Sequence, residues 1–371
     1  MKKPFLYYET LAKNSLNGTL PTPEESLEIL TSTEIELLPL LNAAFQVREK
    51  YWGRDVTIHI INNAQNGLCP EDCAYCVQAK SSTTDIEEYP AKEEAEILAE
   101  AKRAYEAGAY RYCMVFSGRG PRPKRIEQLS SIIRKIKSTY PIQVCLSAGL
   151  VDDAGAKALK EAGLDRLNHN LNTSEKNYPN ICTTHTYQDR KNTLQAAKNN
   201  NLEMCSGMIV GLGESPADVV EVAHTLNQLG SKSIPINFFI PIEGTALENP
   251  QTLTPEYALR VLALFRLVNP DAEIRMAAGR ELHLRGLQSL GLYPASSLFM
   301  DGYLNTKGTN TLQTLQMIKD AGFTIRASFD LEDLIQKCEA EAPQSPQTAD
   351  AIVMKQIADL RPAQPACGPR T

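Results

Sequence analysis

Residues 142–171 read "IQVCLSAGLVDDAGAKALKEAGLDRLNHNL", and this run carries the rule on which most of the chain is built. "IQVCLSA" is a short run with β-branched residues, the pattern of a strand. "VDDAGAKALKEAG" opens on acidic residues, is amphipathic, and stops at a Gly, the pattern of a capped helix. "LDRLNHNL" reads as a strand again. Parallel strands cannot be joined by a tight turn and need a crossover, usually a helix, so strand–helix–strand marks a parallel sheet.

The unit recurs in both directions. Further strands are expected at "VTIHI" (56–60), "YRYCMVFS" (110–117), "LEMCSGMIV" (202–210), "SIPINFFI" (233–240), "AEIRMAA" (272–278) and "SSLFMDG" (296–302). Helical stretches follow them at 91–108, 124–140, 187–201, 215–230, 254–268, 281–291 and 309–322, several ending in Ala-Gly or Leu-Gly. Eight such units predict a closed (β/α)8 TIM-type barrel over residues 56–329. A doubly wound open sheet is the competing arrangement of the same elements.

Residues 1–55 read as a helical extension packing on the barrel. Thr22, Pro23 and Glu25 there form an expected capping box with Pro at the first helical position. Residues 330–371 turn rich in Pro, Ala and Gln and are expected to form a partly disordered tail with a short helix.

Composition narrows the function. With 371 residues and 43 % apolar content the chain can bury a large core. Its formal charge of −6 and scattered Lys and Arg argue against a nucleic-acid groove. No apolar run approaches the roughly 20 residues of a membrane span. The start "MKKPFLYYETLAKNSL" lacks the long apolar core of a secretory leader. A cytoplasmic protein is expected. In that compartment its nine cysteines read as metal or catalytic groups before disulfides.

"NGLCPEDCAYCVQAK" (66–80) places Cys69, Cys73 and Cys76 in the loop after the first strand. Such loops form the C-terminal mouth of a barrel, where barrel active sites lie. A structural zinc site or a simple ferredoxin cluster wants four ligands, and this loop offers three. A cubane cluster on three thiolates leaves one iron open to a substrate. Cys113, Cys145 and Cys205 fall mid-strand in strands two, three and five, and Arg275 in strand seven. Each Cys alone is satisfied as a small buried hydrophobe, and Arg275 as half of an ion pair. Together, if they point inward, they build a second, deeper site on the same axis. Cys182, Cys338 and Cys367 fit no pattern and read as isolated thiols.

The C-x3-C-x2-C spacing is the signature of radical S-adenosylmethionine (AdoMet) enzymes. Within them the chain closely resembles the biotin synthase family, over roughly Leu38 to Gly322. The resemblance rests on "GLCPEDCAYCVQA", "RYCMV", "AGLDRLNHNLNTS", "TTHTYQDRKNTL", "CSGMIVGLGE", "PINFFIPIEGT" and "IRMAAGRE". It implies a sulfurtransferase that inserts sulfur into dethiobiotin, with Cys69, Cys73 and Cys76 holding a [4Fe–4S] cluster. It implies a [2Fe–2S] cluster, the sulfur donor, on Cys113, Cys145, Cys205 and Arg275. Tyr75, Asn170, Asn172 and Ile209 would contact AdoMet, while Asn168, Asn170, Asn305 and Thr306 would contact substrate. Asn172 stands where some members have Asp, and Asn305–Thr306 where relatives often have paired threonines. A reduced flavodoxin or ferredoxin as electron donor, iron–sulfur assembly proteins and a homodimer are also implied. Arg275 is an odd ligand, since a guanidinium has no lone pair to give. Two other readings remain: a radical AdoMet enzyme acting on a different small molecule, and a non-catalytic iron–sulfur or zinc protein.

Overall fold

The computed structural model describes residues 2–247 and 253–341. The expected strands form as β1 (Asp55–Gln65), β2 (Arg111–Phe116), β3 (Gln143–Ser147), β4 (Arg166–Asn168), β5 (Glu203–Cys205), β6 (Met208–Val210), β7 (Ser233–Phe238), β8 (Glu273–Met276) and β9 (Ser297–Phe299). They run parallel in the order β1-β2-β3-β4-β5-β7-β8-β9, and β9 pairs back to β1. The sheet is therefore a closed barrel, and the open-sheet alternative falls. The fifth expected strand is split into β5 and β6 by Ser206 and Gly207. A Cβ on Gly207 would sit 1.9 Å from the Pro235 carbonyl oxygen. The break lets the backbone pass that carbonyl, after which β6 pairs with β7 and makes a single parallel bridge to Asn172.

Helices α4 (Glu94–Glu106), α5 (Pro123–Thr139), α6 (Asp153–Glu161), α7 (Tyr178–Ile181), α8 (Tyr187–Asn199), α9 (Pro216–Leu229), α10 (Pro255–Val268), α11 (Arg280–Leu284) and α12 (Thr311–Asp320) connect the strands. The expected helix at 281–291 is shorter than read and passes into a 3-10 turn, Arg285–Leu292. Upstream lie α1 (Phe5–Leu16), α2 (Pro23–Thr31) and α3 (Leu37–Trp52), which cover α10. The α2 capping box forms as read, with the Thr22 side chain accepting from Glu25 N. Ser15 Oγ donates to Leu267 O at 2.7 Å and Arg260 Nη1 to Ile29 O at 2.9 Å. These bonds explain why α10 is buried on every face from Ala258 to Val268. Past the barrel, β10 (Thr324–Ile325) pairs with the start of β1, and α13 (Leu331–Glu341) buries Leu331, Leu334 and Ile335. The rest of the expected tail, with Cys367, lies outside the described residues.

Side chains two apart on a strand face the same way. That rule stacks the inward positions in layers. His59, Arg111, Arg166, Ser233 and Glu273 meet there through ion pairs and hydrogen bonds. Cys113 and Arg275 lie one inward position further along their strands than Arg111 and Glu273, and Cys205 pairs with Ser233 in the ladder. Cys113 is level with Cys145 in the ladder, and Asn168 with Cys205.

Candidate active site

The mouth is built by the long segment between β1 and α4. Gly67 and Leu68 both hold positive φ, 69° and 53°, so the chain turns sharply as it leaves the barrel. Cys76 N donates to Cys73 O at 3.0 Å and Ala79 N to Cys76 O at 3.1 Å, two successive turns within the three-thiol loop. Burial, and the nearby Cys69 thiolate in addition, push the Cys76 thiol up. Three soft donors within one eight-residue loop suit a cationic, thiophilic centre.

The floor is different in kind. Cys113, Cys145 and Cys205 are buried and form a cluster of their own, with the partly buried Ile61 and Phe299 packed against it. All eight cysteines among the described residues are free thiols. Arg275 Nη1 lies 3.7 Å from Cys205 Sγ, and its buried Nε has no partner among the described residues. Below them Glu273 binds Arg275 Nη2 (2.5 Å), Arg166 Nη1 (2.8 Å), Arg111 Nη1 (3.1 Å) and His59 Nε2 (2.8 Å). Burial alone would raise Glu273, but Arg166, His59, Arg111 and Arg275 hold it well below the carboxylate range. Burial also drives His59 down, to about 3, helped by Arg275. The floor thus carries a cationic excess beneath three thiols, a donor set suited to an anionic thiolate-bound cluster.

One cavity of about 300 Å³ joins mouth and floor. It is lined by Cys76 at one end and by Cys113, Cys145, Cys205 and Arg275 at the other. Tyr75, Ile209, Asn168, Asn170, Asn305 and Thr306 lie on its wall. Asn168 Nδ2 is within reach of Asn170 Oδ1 (3.2 Å), Cys205 O (3.2 Å) and Cys205 Sγ (3.3 Å), and Asn170 Oδ1 also accepts from Gly207 N (3.1 Å). Asn168 Oδ1 and Asn170 Nδ2 are left without partners among the described residues.

Two of the expected contact residues are occupied within the protein. Asn172 is not on the cavity wall. It is buried with φ 69°, and its Nδ2 donates to Tyr75 OH at 2.5 Å. Asn305 forms a reciprocal amide pair with Asn66, 3.0 and 3.1 Å.

The sequence reading missed Cys182, which is not isolated. Its Sγ lies 3.7 Å from Cys73 Sγ and 3.3 Å from His185 Nδ1. His185 is held by Glu71 Oε2 at 2.6 Å and Arg190 Nη2 at 2.9 Å. It also passed over His59 and Glu273, both inside strands it had identified. Polar residues pointing into a barrel were the available signal.

Residues 66–226 match the Radical SAM superfamily and residues 235–324 the Biotin and Thiamin Synthesis associated domain. The barrel is shared with methylornithine synthase (TM-score 0.74, 19 % identity, 87 % of this chain and 99 % of that one). It is shared equally with the hydrogenase maturase HydG of Carboxydothermus hydrogenoformans (0.74, 17 %, 88 % and 81 %). With its three-thiol loop at the barrel mouth, the protein is a radical SAM enzyme, a class that binds a [4Fe–4S] cluster and AdoMet. More narrowly, the chain belongs to the biotin synthase family. It is 57 % identical over 315 residues to biotin synthase of Magnetococcus marinus, covering 85 % of this chain and 98 % of that one. Identity is 55 % to that of Acaryochloris marina (82 % and 88 % covered) and 46 % to that of Lysinibacillus sphaericus (87 % and 97 %). Among the described residues no helix is long and apolar enough to cross a membrane.

Proposed function

We propose that this enzyme inserts sulfur between two unactivated carbons of dethiobiotin, and that the sulfur is a bridging sulfide of a [2Fe–2S] cluster on the barrel floor. The observation that carries this is one cavity lined by Cys76 of the three-thiol loop at one end and by Cys113, Cys145, Cys205 and Arg275 at the other. Cys69, Cys73 and Cys76 would hold the [4Fe–4S] cluster, which would bind AdoMet and pass it the one electron that splits it into methionine and a 5′-deoxyadenosyl radical. A reduced flavodoxin or ferredoxin is the expected electron source. The floor cluster is consumed as a substrate, so iron–sulfur assembly proteins are needed to restore it. A cytoplasmic homodimer completes the reading.

The chain's own residues orient the reactants. Asn168 Oδ1 and Asn170 Nδ2 offer an acceptor beside a donor, which matches the N–H and C=O of a ureido ring. The bonds of Asn168 Nδ2 to Cys205 would tie that ring to the floor. Tyr75 and Ile209 flank the adenine side, and Asn172 serves it by fixing the Tyr75 ring. Thr306, with Asn305 once released from Asn66, is suited to the substrate carboxylate. The apolar remainder of the wall, including Phe238 and Phe299, excludes water from a carbon radical.

The test is anaerobic incubation of the reconstituted enzyme with dethiobiotin, AdoMet and a reductant, with products read by mass. Biotin and 5′-deoxyadenosine should appear together. 5′-Deoxyadenosine formed in amounts independent of dethiobiotin, without biotin, would point to a different small-molecule substrate.

A further inference from the structure

We propose that Glu281 is a positioning residue for the substrate: its carboxylate clamps the loop between β9 and α12 so that Asn305 and Thr306 face the cavity. This rests on the reading of those two residues as contacts of the substrate carboxylate. The loop opens with two left-handed residues, Asp301 (φ 66°) and Gly302 (φ 86°), which turn the chain sharply after β9. Tyr303 N then donates to Thr306 O at 3.0 Å, closing Leu304 and Asn305 into a short tip. Tyr303, Leu304, Asn305 and Thr306 all line the cavity.

One carboxylate holds both arms of that loop. Glu281 Oε2 accepts from Tyr303 OH at 2.8 Å, on the arm before Asn305. Its Oε1 accepts from Thr309 N at 3.0 Å and Thr309 Oγ1 at 3.3 Å, on the arm after Thr306. Fixing both arms removes freedom that the tip would otherwise lose on binding, the cost that preorganisation cuts. The loop lies close against the carboxylate, since a Cβ on Gly308 would sit 3.1 Å from Glu281 Oε1. The Tyr303 hydroxyl has a second acceptor, Ala277 O at 3.3 Å, and its ring stands edge-on to Phe299 (87°). Phe299 in turn packs against the floor cysteines.

Glu281 itself is not on the cavity wall. It stands in α11 with Arg280 Nη2 at 3.3 Å, and it acts through the loop rather than on the substrate. The clamp needs two polar positions in the right places more than it needs a charge. Glutamine can supply them: its Oε1 faces Thr309 N, and its Nε2 faces the Tyr303 oxygen, whose hydrogen then turns to Ala277 O. Alanine supplies neither.

The experiment measures equilibrium binding of dethiobiotin, and of its analogue with an alcohol in place of the carboxylate, to the reconstituted enzyme with AdoMet and without reductant. The parent should prefer the acid by about 10-fold or more, the scale of a net hydrogen bond to a charged group. Glu281→Ala should weaken the acid by about 10-fold and the alcohol by less than about 2-fold, while Glu281→Gln keeps the acid within about 3-fold of the parent. Tyr303→Phe keeps the ring and frees one arm, so it should show the same selective loss at about 3-fold. It decides the case if Glu281→Ala does not fold. A variant that weakens acid and alcohol equally, or neither, overturns the proposal, as does a loss in Glu281→Gln equal to that in Glu281→Ala. If the parent binds acid and alcohol alike, or binds neither, the carboxylate reading of Asn305 and Thr306 fails, and this inference with it.

Discussion

The sulfur atoms of Cys73 and Cys182 lie 3.7 Å apart although 109 residues separate them in sequence. A fourth thiol therefore stands against the three-thiol loop, backed by His185. The mouth cluster needs an open iron for AdoMet, so Cys182 is not expected to be a ligand to the loaded cluster. Cys73→Ala should lower 5′-deoxyadenosine formation by more than about 100-fold, beyond the range for loss of an outer-shell partner. Cys182→Ala should stay within that range and keep its iron. Iron and sulfide content, measured beside product, separates the two. A Cys182→Ala protein that loses the mouth iron would make Cys182 a ligand.

Asn172 carries two burdens. Its backbone is in the left-handed region, which non-Gly residues reach at a cost of roughly 1 kcal/mol or more, and its amide fixes the Tyr75 hydroxyl. Asn172→Gly relieves the first and removes the second. Folding stability should change by less than about 1.5 kcal/mol, near the net value of one hydrogen bond, while KM for AdoMet rises. Asn172→Ala keeps the backbone strain and should be the less stable of the two in chemical denaturation.

Gly207 marks where β5 ends and the strand steps aside. A methyl group there meets the Pro235 carbonyl oxygen at 1.9 Å, and both partners are backbone of the barrel wall. Gly207→Ala should cost about 3 kcal/mol or more, the upper range for overpacking. The amide of Gly207 also donates to Asn170 Oδ1, so a variant that still folds should bind dethiobiotin more weakly.

Much of this was readable in the chain. The eight units stood out because branched apolar runs alternate with capped amphipathic helices, and most boundaries fall within a few residues of those expected, although β1 runs on to Gln65 and α11 stops at Leu284. The floor cysteines stood out because each sits mid-strand in a barrel whose inward positions follow a period of two. What could not be read depends on partners far along the chain. Nothing near Gly207 announces the Pro235 carbonyl. Cys182 looked isolated because its neighbours Cys73 and Asp72 lie in a different loop. His59 and Glu273 looked like ordinary strand residues until the closed barrel set one against the other.

Arg275→Lys tests how the cation acts. Lysine keeps the charge that faces Glu273 and the floor thiols but loses the planar fork. If the role is electrostatic, the variant should keep floor iron and sulfide at the parent level and lose activity by about 10- to 100-fold, as for other outer-shell changes. Loss of the floor cluster on this change would mean that guanidinium geometry itself is required.

The origin of the product sulfur can be decided by isotope. The substrate carbons carry strong C–H bonds and no leaving group, so each must lose a hydrogen atom to a radical before it can bond sulfur. Two C–S bonds thus require two AdoMet molecules per biotin. The sulfur must be in place before the first radical forms, because a free carbon radical would quench or react elsewhere. Besides the Met114 thioether, the sulfur atoms lining the cavity are those of Cys76 at the mouth, the end proposed for AdoMet, and of Cys113, Cys145 and Cys205 at the floor. The floor thiols stand beside Asn168, whose amide reaches both Cys205 Sγ and Asn170, so a substrate held by the asparagines sits next to them. Donation of a cysteine sulfur would destroy a ligand, whereas donation of a bridging sulfide leaves the protein chain intact. Enzyme rebuilt with heavy sulfide should therefore place that isotope in the biotin of its first turnover and lose its floor-cluster absorption in step. Biotin carrying only natural-abundance sulfur, with the floor absorption unchanged, would rule the floor cluster out as donor.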